Sequence, residues 1–94
     1  MQTFVMFGKY TAEGTKGISS ARTSKAVDVV KKCGGEVKSI YGLLGKSDVL
    51  MIVELPGVKE AMKASIGLNK LTGLALTTSP AVSVEEFDKI ASQP

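Results

Sequence analysis

The chain opens on an unbroken apolar run. Phe4, Val5, Met6 and Phe7 are all strand formers, and they occupy both parities of an extended segment. The run predicts a first strand over Thr3 to Tyr10 with two apolar faces, ended by the polar, Gly-containing stretch from Thr11 to Gly17. The period then changes. Ala26, Val29, Val30 and Cys33 recur at spacings of three and four while Lys25, Asp28, Lys31 and Lys32 fall outside that stripe, which predicts a helix from Ser19 to Cys33 stopped by Gly34 and Gly35. A second strand over Val37 to Leu44 and a third over Asp48 to Leu55 are separated by Gly45, Lys46 and Ser47, a turn short enough for an antiparallel hairpin. The third is apolar at every position from Val49 to Val53. After Pro56 and Gly57, a second helix over Val58 to Lys70 sets Ala61, Met62, Ser65, Ile66, Leu68 and Asn69 along one side and Lys59, Glu60 and Lys63 outside. Thr72 and Gly73 lead to a fourth strand over Leu74 to Ser79, where Pro80 is expected to interrupt the ladder. Ser83 and Glu86 stand at capping-box spacing and open a short terminal helix that carries Phe87 and Ile90.

The order β-α-β-β-α-β is two β-α-β units in tandem. With right-handed crossovers it predicts an α+β ferredoxin-like sandwich with an antiparallel four-stranded sheet and a short C-terminal helix, one domain over residues 1–94. The first and third strands are then central, and the second and fourth, with Lys38, Ser39, Thr77, Thr78 and Pro80, are edges. Helices cover one face of such a sheet. Yet Val5 and Phe7 oppose Phe4 and Met6, and Val49, Met51 and Val53 oppose Leu50 and Ile52, so both faces are hydrophobic. An uncovered face on the order of 400 Å² in projection is at the limit a monomer leaves exposed. The pattern therefore predicts a homodimer or higher oligomer joined through the sheet.

Composition narrows the function classes. The 94 residues carry a net charge of +3, with lysines spread from Lys9 to Lys89 and only Lys31 and Lys32 adjacent. Neither a dense basic face nor a stacking aromatic motif is present, so no nucleic-acid partner is expected. No apolar stretch approaches the ~20 residues of a membrane span, and no charged stretch followed by an apolar run marks a leader, so no membrane partner is expected either. The lone Cys33 forms no internal disulfide and suits a cytoplasmic setting. With no histidine there is no Ser-His or Cys-His pair and no usual transition-metal cluster, and the Gly-rich stretches match neither a P-loop nor a dinucleotide fingerprint. No metal and no cofactor are expected.

Four residues are candidates for contact with a small organic ligand: Tyr10, Arg22, Tyr41 and Asp48. A buried Asp48 suits a general base, and an Asp48 bonded to neighbouring amides suits a turn. The Tyr41 hydroxyl suits ligand orientation or an interface, and Tyr10 has the same two readings. Arg22, early in its helix, suits an acidic ligand or a solvated ion pair. Cys33 lies on the apolar stripe with no base beside it and reads as buried and inert. Thr77, Thr78 and Ser79 offer hydrogen bonds at a strand end and equally suit an edge. Binding of a small ligand or a protein partner is the leading reading, and a cofactor-independent oxygenase or isomerase using Asp48, Tyr41 or Arg22 is the alternative.

Taken together, Phe4 to Tyr10, the Gly34-Gly35 break, Tyr41, the hairpin Gly45 to Asp48, Glu54-Leu55-Pro56 and Thr77-Thr78-Ser79-Pro80 resemble the GYD domain family, small bacterial and archaeal proteins of uncharacterised function. That family is named for Gly, Tyr and Asp near the hairpin; this chain keeps Gly45 and Asp48 and has Ser47 before the aspartate. The resemblance implies a place in the dimeric α/β-barrel superfamily, whose members pair their sheets face to face and often hold small ligands between sheet and helices.

Overall fold

Switches between the two hydrophobic periods become element boundaries in the computed structural model, which describes residues 1–94. The order is β1 (Gln2–Tyr10), α1 (Ala12–Lys16), α2 (Ser20–Lys32), β2 (Glu36–Gly42), β3 (Val49–Leu55), α3 (Val58–Thr72), β4 (Leu74–Ala81) and α4 (Val84–Ser92). All strand pairs are antiparallel, in the order β2-β3-β1-β4. β1 and β3, the two strands apolar on both faces, are central, and the sheet is the ferredoxin-like one that the element order predicts.

Register decides which parity meets the helices. Phe4 pairs with Val53 and Met6 with Met51, and these four are buried beneath α2 and α3 together with Val49 and Leu55. α2 contributes Ala26 and Val30, with Val29 and Cys33 packed at the margin of the same core. α3 contributes Ala61, Ala64 and Leu68. The buried stripe of α3 is thus rotated from the expected one, leaving Met62 and Ile66 exposed. Two alanines let the helix approach the sheet closely, and the Ser65 hydroxyl is held by Ala61 O at 2.8 Å and Thr78 Oγ1 at 2.9 Å. The larger side chains are turned to the rim.

Three further departures have local causes. α1 forms where only a polar loop was expected, because Thr11 Oγ1 accepts the Gly14 amide at 2.9 Å and caps one short turn. β4 continues through Pro80, opposite Phe4, to Ala81. An edge strand tolerates proline where the missing N–H side faces solvent. β2 ends at Gly42, short of Leu44, and carries a bulge: Val37 pairs with Val53, but Ser39 pairs with Ile52, so Lys38 is the extra residue.

The second sheet face carries Val5 and Phe7 of β1, Leu50 and Ile52 of β3 and Tyr41 of β2. Phe7 is opposite Leu50, which is opposite Tyr41 on its other side. No helix of the chain covers this row, and Phe7 is 42% exposed. α4 also lies outside the core, and none of its residues is buried.

Candidate ligand site between sheet and helices

Three of the four candidate residues meet at the C-terminal end of β1. Asp48, just before β3, accepts the Tyr10 amide on Oδ2 at 2.9 Å, its own amide donates to Gly8 O at 2.8 Å, and its carbonyl accepts the Leu43 amide at 2.8 Å. Asp48 therefore clamps the β2-β3 loop onto the end of β1. One of its carboxylate oxygens is engaged by a backbone donor.

Tyr10 stands at the other end of that clamp with its ring toward α2. Arg22 lies with its guanidinium carbon 5.2 Å from the Tyr10 ring centroid, a cation–π contact. On another side the guanidinium crosses Gly17, where a Cβ would stand 2.5 Å from Nη1. Gly17 thus leaves the space the guanidinium occupies. Arg22 is in the first turn of α2, where Ser19 Oγ accepts its amide at 3.1 Å and no acidic side chain offsets the positive helix end.

Arg22 Nη2 is buried and has no hydrogen-bond partner. The ion pairs that form, Glu13 with Lys16 and Glu36 with Lys38, do not involve it. Beside it is a cavity of about 40 Å³ with Tyr10, Arg22, Thr23 and Thr72 on its polar side and Met51 and Leu68 among its apolar walls. A buried donor left without an acceptor costs about 1–3 kcal/mol, and more when it is charged. An anion of carboxylate size placed here would supply the acceptor.

Tyr41 is elsewhere. It is more than half exposed and lies in the row with Leu50 and Phe7, on the sheet face away from the helices. Of the β4 hydroxyls, Thr78 points to the helix layer and bonds Ser65, while Thr77 and Ser79 share the parity of the open face. Thr23 and Thr72 line the cavity without having stood out in the sequence. Threonines near helix ends carry no signal of their own, since they usually bond the preceding turn, as Thr72 Oγ1 does with Leu68 O at 2.6 Å.

Residues 4–91 match the family profile of the GYD domain. The chain belongs to the GYD domain family. No curated protein matches it. Among solved structures this GYD domain is similar to the leucine response regulatory protein (LrpA) of Mycobacterium tuberculosis, with a TM-score of 0.59 at 10% sequence identity, over 87% of this chain and 51% of that one. The GYD domain spans about half the length of that regulator, and at this identity the likeness is one of fold. No helix is long and apolar enough to cross a membrane.

Proposed function

We propose that this GYD domain is a self-associating binding module that takes the anionic head of a small organic molecule between sheet and helices. Residues 1–94 act as one domain in this reading, and the unpaired Cys33 suits the cytoplasm. The observation that carries the proposal is Arg22 Nη2, buried without a partner beside a cavity of about 40 Å³. A cavity of that size accepts a carboxylate and leaves the rest of the ligand at the rim, near Ile40 and Thr23. Arg22 is the anchor because a guanidinium offers two parallel donors to a carboxylate. Tyr10 fixes its plane from below. Asp48 is a positioning residue that holds the Tyr10 backbone.

Self-association uses the open sheet face, with Val5, Phe7, Leu50, Ile52 and Tyr41 at its centre. The second copy covers these side chains as the helices cover the opposite face.

Thermal unfolding with millimolar acetate, pyruvate, benzoate or inorganic phosphate tests the ligand site. At least one of these anions is expected to raise the transition temperature of the wild type and to leave Arg22→Met unmoved. Loss of one charged hydrogen-bonding anchor corresponds to roughly a 10- to 100-fold weaker affinity. Equal shifts in both proteins, or no shift with any of the four, would remove the assignment.

A further inference from the structure

Helix α4 carries an apolar face that nothing in its own chain covers. Val84, Phe87 and Ile90 recur every three residues and are each more than half exposed, and every residue from Val82 to Pro94 is exposed. Such a helix has no packing to offset its ordering, and nine residues are too few for a helix stable by itself in water. Its cap is nevertheless well formed, with Ser83 Oγ accepting the Glu86 amide at 3.2 Å. The sequence specifies a capped helix whose apolar face packs against nothing in its own chain.

An apolar groove of complementary character lies on the helix side of the edge strand. Val58, Met62 and Ile66 of α3, each at least half exposed, form one wall, and Leu76 and Pro80 of β4 line the other. The groove has a volume of about 360 Å³. Val58 to Ile66 spans about 12 Å of helix and Val84 to Ile90 about 9 Å, so the two apolar stripes are of comparable length. Charge also matches. α3 carries Lys59, Lys63 and Lys70 against the single Glu60, whereas α4 carries Glu85, Glu86 and Asp88 against the single Lys89.

We infer that α4 docks into the α3-β4 groove of a second copy, each chain lending its arm to the other. The hinge is short and well placed, since Pro80 lines the groove and only Ala81, Val82 and Ser83 separate it from α4. In the free chain Ser83 is extended, at φ −63° and ψ 157°, and no residue of α4 lines the chain's own groove. A two-fold axis passing near the hinges exchanges two identical arms at little cost, because both contacts are made by one operation. This contact is separate from the open sheet face and does not depend on the anion site.

Site-specific trapping tests it. In a Cys33→Ser background, a chain with Phe87→Cys is mixed with a chain with Met62→Cys and treated with a short bismaleimide. The expected product is a covalent heterodimer as the main species, lost when Ile90→Glu is added to the first chain. Both substituted positions are exposed, and circular dichroism of each chain verifies its fold. The doubly substituted chain distinguishes the alternative. If it closes on itself while the mixture gives no heterodimer, the arm folds back in cis and the inference is overturned. If neither species cross-links, the groove does not receive α4 at all, which overturns it equally. Repeating the mixture with Phe7→Glu in both chains separates this contact from the sheet face, since the trapped dimer is expected to persist.

Discussion

Arg22 holds one of its donors buried and unsatisfied, which costs stability in the free chain. Its guanidinium is fixed between the Tyr10 ring and the space over Gly17, and its Nη2 is buried without a hydrogen-bond partner. Replacing it with Met exchanges an unpaired buried donor for an apolar chain of similar reach. Arg22→Met is therefore expected to melt at the same temperature as the wild type or higher in anion-free buffer, while losing its response to the anion. A lower melting temperature without anion would mean that the guanidinium already finds its partner within the chain. Asp48 has the opposite character. Two of its three bonds join the β2-β3 loop to β1 and the third closes the loop on itself, so Asp48→Ala, which leaves the Tyr10 amide without its side-chain acceptor, is expected to lose about 1–2 kcal/mol in urea unfolding. Asp48 was legible as a turn residue from its place after Gly45, Lys46 and Ser47. Its grip on Tyr10 was not, because the two are 38 positions apart and meet only through the pairing of β1 with β3.

At the scale of elements, backbone approach is as informative as apolar periodicity. Gly34 ends α2 with φ +84°, and a Cβ on the following Gly35 would run into Glu54 O and the Leu55 side chain. The Gly34-Gly35 pair reads as a helix stop in sequence, and the structure shows that Gly35 also makes room for β3. Gly35→Ala must displace a central strand, so its expected cost is about 2 kcal/mol or more, measured as a lower midpoint in urea. Gly34→Ala loses about 1 kcal/mol from backbone strain, having no comparable collision to add. The bulge in β2 is the other decisive element. Strict alternation from Val37 places Tyr41 on the helix side of the sheet; the extra residue Lys38 reverses the parity, so that Ile40 faces the helices and Tyr41 the open face. Tyr41 thereby lies on the open sheet face, away from the cavity beside Arg22.

Across the whole molecule, the open face has an acidic end and a basic end. Glu36 lies opposite Glu54 at one end, and Lys9 lies near Lys46 at the other, with Val5, Phe7, Leu50 and Ile52 between them. Two copies laid face to face with strands running in opposite directions bring the glutamates of one over the lysines of its partner. Phe7→Glu and Leu50→Glu are each expected to lower the solution mass contributed by this face, read by light scattering, without unfolding the chain, because neither residue belongs to the buried core. Glu54→Lys is expected to weaken the same association most at low ionic strength and progressively less as salt screens the contact. An unchanged mass for all three variants would leave the open face without its proposed partner.

The sequence by itself determined the order of elements, the central and edge strands, the cap of α4 and the apolarity of both sheet faces. Each of these follows from local propensity or from a period of 2 or 3.6 read along the chain. The parity of β1 that meets the helices, the rotation of α3, and the meeting of Tyr10, Arg22 and Asp48 were decided by tertiary structure. These depend on register and on contacts between segments far apart in the chain, where the bulge at Lys38 and the two alanines of α3 shift faces that a regular period leaves undetermined.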